Sequence, residues 1–76
     1  MSQNDYLVDA SGEACPMPLL RTKMQLNKMA PGQVLKVIAT DAGSVRDFTA
    51  FIDLTAHELL STDHSGESFV YYIQKN

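Results

Sequence analysis

PGQVLKVIATDAGSVRDFTAFI, residues 31–52, holds in succession a helix stop, a strand, a turn and a second helix. Pro31-Gly32 is strong local punctuation. Residues 33–40 are β-branched and apolar enough to form a central strand. Asp41 reads as a turn or capping residue in the polar DAGS that follows. Val45, Phe48, Ile52, Thr55 and Ala56 then fall on one side at about 100° per residue, and Phe51 widens the stripe. This predicts a helix over 45–56. Ser44 with Asp47 three residues on resembles a capping box, with Asp in the usual Glu place.

Working outward, YLVDA (6–10) reads as a strand, and a first helix spans 16–29 up to the APG stop. On the other side, ELLSTD (58–63) and SFVYYIQK (68–75) are strands joined around HSGE, where Ser65-Gly66 suits a tight hairpin turn. Tyr71 and Tyr72 point to opposite faces, one to the core and one to the surface. The order is β-α-β-α-β-β. Its simplest packing is an α+β fold, a two-layer α/β sandwich with two helices on one face of a four-stranded mixed sheet. One domain fills residues 1–76, with an ordered core over about 5–75.

The first helix carries two apolar stripes. Leu19, Thr22, Leu26, Met29 and Ala30 form one; Met17, Leu20 and Met24 form another, roughly opposite. Only one can face the sheet. The second either packs on the other helix or forms an exposed, Met-rich docking patch.

The chain has 76 residues, a formal net charge of −3 and no run among its six basic residues, so a nucleic-acid backbone is an unsuited partner. No apolar run reaches the ~20 residues of a membrane span, and the first residues lack the pattern of a signal peptide. A single cysteine, Cys15, excludes an internal disulfide and fits a reducing cytoplasm. His57 and His64, with Asp53, Glu58 and Asp63 nearby, match no standard zinc spacing. His57 is expected at the end of the second helix, where positive charge is favourable. No Gly-rich phosphate loop is present, and neither a metal nor an organic cofactor is expected.

Cys15 opens the segment CPMP. Pro16 and Pro18 are tolerated because the first N–H groups of a helix have no intrahelical partner, and they stiffen the turn. Cys15 therefore belongs at or beside the N-cap, at least partly exposed, with its thiol pKa lowered by the helix dipole. With Pro18 at the third helical position, the Met17 N–H is the natural donor to the sulfur. Glu13 and Asp9 oppose the thiolate, while Arg21 and Lys23 offset them in part.

DASGEACPMPLL, PGQVLKVIATD, SVRDF and HELL together resemble the TusA-like (SirA-like) sulfur carrier family, over about residues 6–75. Glu13 takes a place often apolar there, and Ala56 replaces a common glycine. The resemblance implies that Cys15 carries sulfur as a persulfide, with Pro16 and Pro18 as the motif prolines. It implies a sulfurtransferase in the narrow sense of a carrier, taking sulfur from a persulfide donor such as a cysteine desulfurase or rhodanese. A downstream protein acceptor receives it, in tRNA thiolation, molybdenum cofactor synthesis, sulfur oxidation or another pathway. No direct nucleic-acid or membrane contact is expected, and the protein is expected to be a monomer. Met17, Leu20, Met24 and Arg21 are the candidate docking residues. Two alternatives stand beside this reading: a non-catalytic interaction module, and a thiol redox protein. The second is disfavoured by the lack of a resolving cysteine.

Overall fold

A computed structural model describes residues 4–14 and 16–76. Its elements are β1 (Tyr6–Ala10), α1 (Met17–Leu26), β2 (Val34–Ala39), α2 (Ser44–Asp53), β3 (Glu58–Ser65) and β4 (Ser68–Gln74). The strands form one sheet in the order β1-β2-β4-β3. β1 and β2 are parallel, and β4 runs antiparallel to both its neighbours. This mixed pairing follows from the connections. A helical crossover returns the chain in the same direction, whereas the short link from β3 to β4 must reverse it.

Strand alternation sends Val8, Ala10, Leu35, Val37, Ala39, Tyr71 and Ile73 to the face covered by the helices, where all are buried. Leu26, Met29 and Phe48 close the core from the helical side. Phe48 stacks on Tyr71 with ring centroids 4.5 Å apart. Full burial of such side chains contributes roughly 1.5–3 kcal/mol each. On the opposite face Tyr72 is half-buried, and the Lys36 ammonium lies 5.8 Å from its ring centroid. The two tyrosines thus divide between core and surface as their alternation requires. Among the described residues no helix is long and apolar enough to cross a membrane.

Long-range contacts shift several element ends. α1 stops at Leu26 and not at 29: the next N–H groups, of Lys28 and Met29, bond three residues back, and Lys75 Nζ adds a 2.8 Å bond to the Leu26 carbonyl from the far end of the chain. Its buried stripe gains Pro18 and loses Ala30, which is exposed. Thr22 is fully buried without cost because its hydroxyl donates 2.8 Å to the Pro18 carbonyl.

α2 differs more. Gly43 is the N-cap, no side chain caps the helix, and the capping box expected of Ser44 and Asp47 is not formed. Ser44 is instead the first helical residue and is buried, with its Oγ 3.0 Å from the Tyr71 hydroxyl. A tertiary partner has replaced the local one. This rotates Val45 out of the stripe to an exposed position, and the end at Asp53 leaves Thr55 and Ala56 beyond the helix.

The hairpin turn falls one residue later than expected. Ser65 pairs with Ser68, leaving Gly66-Glu67 as the two-residue loop. Only Gly66, at φ +61°, has positive φ, which is the signature of a type II′ turn. A register shift between Leu59 and Ser61 marks a bulge at Leu60 in edge strand β3.

Candidate functional site

The chain leaves β1 into a loop, residues 11–14, that leads to Cys15. Gly12 turns the chain at φ +81°, a conformation that L side chains rarely adopt. The Glu13 N–H donates 3.1 Å to the Ala10 carbonyl. Asp9 Oδ1 accepts the Ser11 hydroxyl at 2.6 Å and the Ser11 N–H at 3.0 Å. Those bonds, the side-chain one first, hold the Asp9 carboxyl below its ordinary range.

Two longer contacts fasten this loop. The Gly12 N–H donates 2.8 Å to Thr40 Oγ1, just past the end of β2. From α1, Arg21 donates 2.9 Å to the Asp9 carbonyl and forms an ion pair with Glu13 Oε2. Glu13 Oε1 is enclosed and has no hydrogen-bond partner among the described residues. Gly12, Glu13, Ala14, Thr40 and Asp41 line a depression of about 210 Å³. It sits beyond the carboxyl ends of the neighbouring parallel strands β1 and β2.

Cys15, and with it the expected exposure and lowered pKa of its thiol, lies outside the described residues. Its neighbours are placed. Pro16 is the N-cap, Met17 the first helical residue and Pro18 the second, one position earlier than expected. The Met17 N–H donates 2.9 Å to the Ala14 carbonyl. It is engaged there by the backbone, while the expected bond to the sulfur lies outside the described residues.

The second stripe of α1 faces outward. Met17, Leu20 and Met24 are 46%, 44% and 61% exposed, so the stripe does not pack on α2. Met24 and Arg21 border a shallow hollow that also takes in the exposed Leu7 of β1. Arg21 turns its guanidinium from this hollow to the segment before Cys15. Lys23 does not share that task; its ammonium lies 5.4 Å from the Phe51 ring centroid.

The histidines lie elsewhere. His57 stands beyond the end of α2 and does not cap it. Its Nδ1 accepts the Asn76 N–H at 3.0 Å. Burial, then the nearby Lys75 charge, lowers its pKa. His64 stacks on Phe69, with centroids 4.3 Å apart. Among the described residues no three His, Cys, Asp or Glu side chains gather as a metal site. The Thr40 contact had no signal in the sequence, since it joins residues 28 apart.

This architecture and chain have clear relatives. A solved SirA-like protein from Desulfitobacterium hafniense superposes with a TM-score of 0.80 over 91% of this chain and 95% of its own, at 20% identity. That likeness concerns the fold. The sulfur carrier protein TusA of Allochromatium vinosum is 50% identical over 76 residues, all of both chains. The protein of the same name from Pseudomonas putida is 38% identical over 71 residues, 93% of this chain and 89% of its own. The model of the sulfurtransferase TusA family matches residues 6–75. With the Cys-Pro-x-Pro segment leading into α1 of a two-layer sandwich, the chain belongs to the TusA family.

Proposed function

We propose that this protein is a sulfur carrier that holds sulfane sulfur as a persulfide on Cys15 and hands it to a protein acceptor. The observation that carries the reading is the lone cysteine at the head of α1 in a chain of this family, beside an outward apolar stripe.

The chemistry needs only thiols. The Cys15 thiolate attacks the terminal sulfur of a donor persulfide, R–S–SH. A bond forms between the Cys15 sulfur and that terminal sulfur, the donor S–S bond breaks, and its electron pair leaves on R–S⁻. Cys15 now carries –S–SH. An acceptor thiolate repeats the exchange and restores the Cys15 thiolate, with no net oxidation. A second thiol in the chain would discharge the persulfide, so the single cysteine suits a carrier. The donor is of the cysteine desulfurase or rhodanese class, and transfer is sulfurtransferase activity in this restricted sense. A reducing cytoplasm keeps the thiol ready.

Transfer brings two sulfurs into bonding distance, so a partner must cover the start of α1. Met17, Leu20 and Met24 form the surface it meets there. Incubation with a persulfide donor, followed by intact mass measurement, tests the reading. Wild type should gain one sulfur atom that a thiol reductant removes, and Cys15→Ser should gain none. Uptake by Cys15→Ser, or none by wild type, would refute it. Activity retained by Cys15→Ser would favour the interaction module instead.

A further inference from the structure

Arg21 is the point at which α1 grips the loop that precedes Cys15. Its guanidinium reaches the Asp9 carbonyl, near the end of β1, at 2.9 Å and the Glu13 carboxylate within the loop. Glu13 stands two residues before Cys15, within about 7 Å of chain. One of its oxygens is enclosed without a hydrogen-bond partner among the described residues, and Arg21 holds the other. Asp9, near the end of β1, and Asp41, on the facing loop after β2, add negative charge to this corner, while Lys28 borders the outer hollow with Arg21. Among the described residues Arg21 is the cation in contact with the Asp9–Glu13 segment.

We propose that Arg21 is the positioning residue for Cys15: it ties the Asp9–Glu13 segment to α1 and balances the Glu13 charge two residues before Cys15. The role rests on the carrier reading of Cys15. It gives Arg21 a role besides docking, since its guanidinium is turned to the Asp9–Glu13 segment. Glu13 becomes a built-in brake that Arg21 releases: unpaired, its charge would hold the thiol in the protonated, unreactive form.

The test is the pH dependence of Cys15 alkylation by iodoacetamide, followed by intact mass on the full chain. It needs no sulfur donor, so it reports on the pair even if the carrier reading fails. Arg21→Met should move the inflection up by about half a pH unit, roughly a threefold loss of thiolate fraction below it. Glu13→Gln, which keeps the side-chain shape, should move it down by a similar amount. The double variant should return near wild type. Arg21→Lys, which retains the charge, should move it less than Arg21→Met, and serves if the latter fails to fold. Shifts of opposite sign from the two single variants are what a merely structural pair would not produce. Shifts of the same sign, or none, would overturn the proposal.

Discussion

Replacing Tyr71 by phenylalanine removes one oxygen from the core and should cost far more than its size suggests. Tyr71 is 2% exposed and its hydroxyl lies 3.0 Å from Ser44 Oγ, itself in a buried residue. The substitution keeps the stacking on Phe48 but leaves the Ser44 hydroxyl unpaired in the interior. Such a loss costs about 1–3 kcal/mol. For a domain of this size each kcal/mol is worth ~4–8 °C in Tm, so about 2 kcal/mol becomes a fall of roughly 8–16 °C. Ser44→Ala should do similar damage by stranding the phenol. The double variant should then be nearer wild type than the two single losses added together, because no polar group is left stranded. A second signature comes from ionisation. Burial, opposed by the Ser44 bond, raises the Tyr71 pKa above 10.0. Above that pH the unfolded chain has released the proton and the folded one has not, so wild type loses stability as pH rises through this range. Tyr71→Phe should lack that loss. Urea unfolding of the four proteins, at neutral pH and near pH 10.5, supplies every term. Strict additivity of the two single losses would refute the claim that the hydroxyls depend on each other.

The docking stripe makes a contrasting prediction: Leu20→Glu or Met24→Glu should slow sulfur transfer from a protein donor at least several-fold, while leaving Tm and reaction with a small persulfide nearly unchanged. Equal loss with both sulfur sources would show that the stripe is not a docking surface. Phe48→Ala, at a fully buried site, should cost about 3–5 kcal/mol and is best read by urea unfolding; a loss under about 1 kcal/mol would contradict its place in the core. His57 has a lowered pKa in the fold, so the unfolded chain binds its proton more readily and stability falls as pH drops below about 6.5. His57→Gln should flatten the dependence of Tm on pH between 7 and 5 (roughly the span of histidine titration), and an unchanged slope would remove His57 as its source.

Local chemistry explains what was legible in advance. Apolar spacing, Pro-Gly punctuation and strand alternation act over a few residues, so 31–52 announced β2, the turn and α2, and the prolines marked the start of α1. The Cys-Pro-x-Pro segment identified the site for the same reason, as a contiguous string. What depended on distant partners was not readable. Both stripes of α1 satisfy helical spacing equally, and only the position of the sheet buried Thr22 and Leu26 while leaving Leu20 and Met24 outside. Ser44 looked like a cap because its local options were visible, but the Tyr71 hydroxyl arrives from 27 residues away and takes it into the core. Lys75 bonds the Leu26 carbonyl at the end of α1 from 49 residues away, and Thr40 fastens the cysteine loop across 28. Arg21 and Glu13 could be named as opposing charges near Cys15; that they form one ion pair, with Arg21 also holding the Asp9 carbonyl, was decided by the packing of α1 on β1. A helix has several faces of similar composition, and only the packed fold chooses which side chains meet.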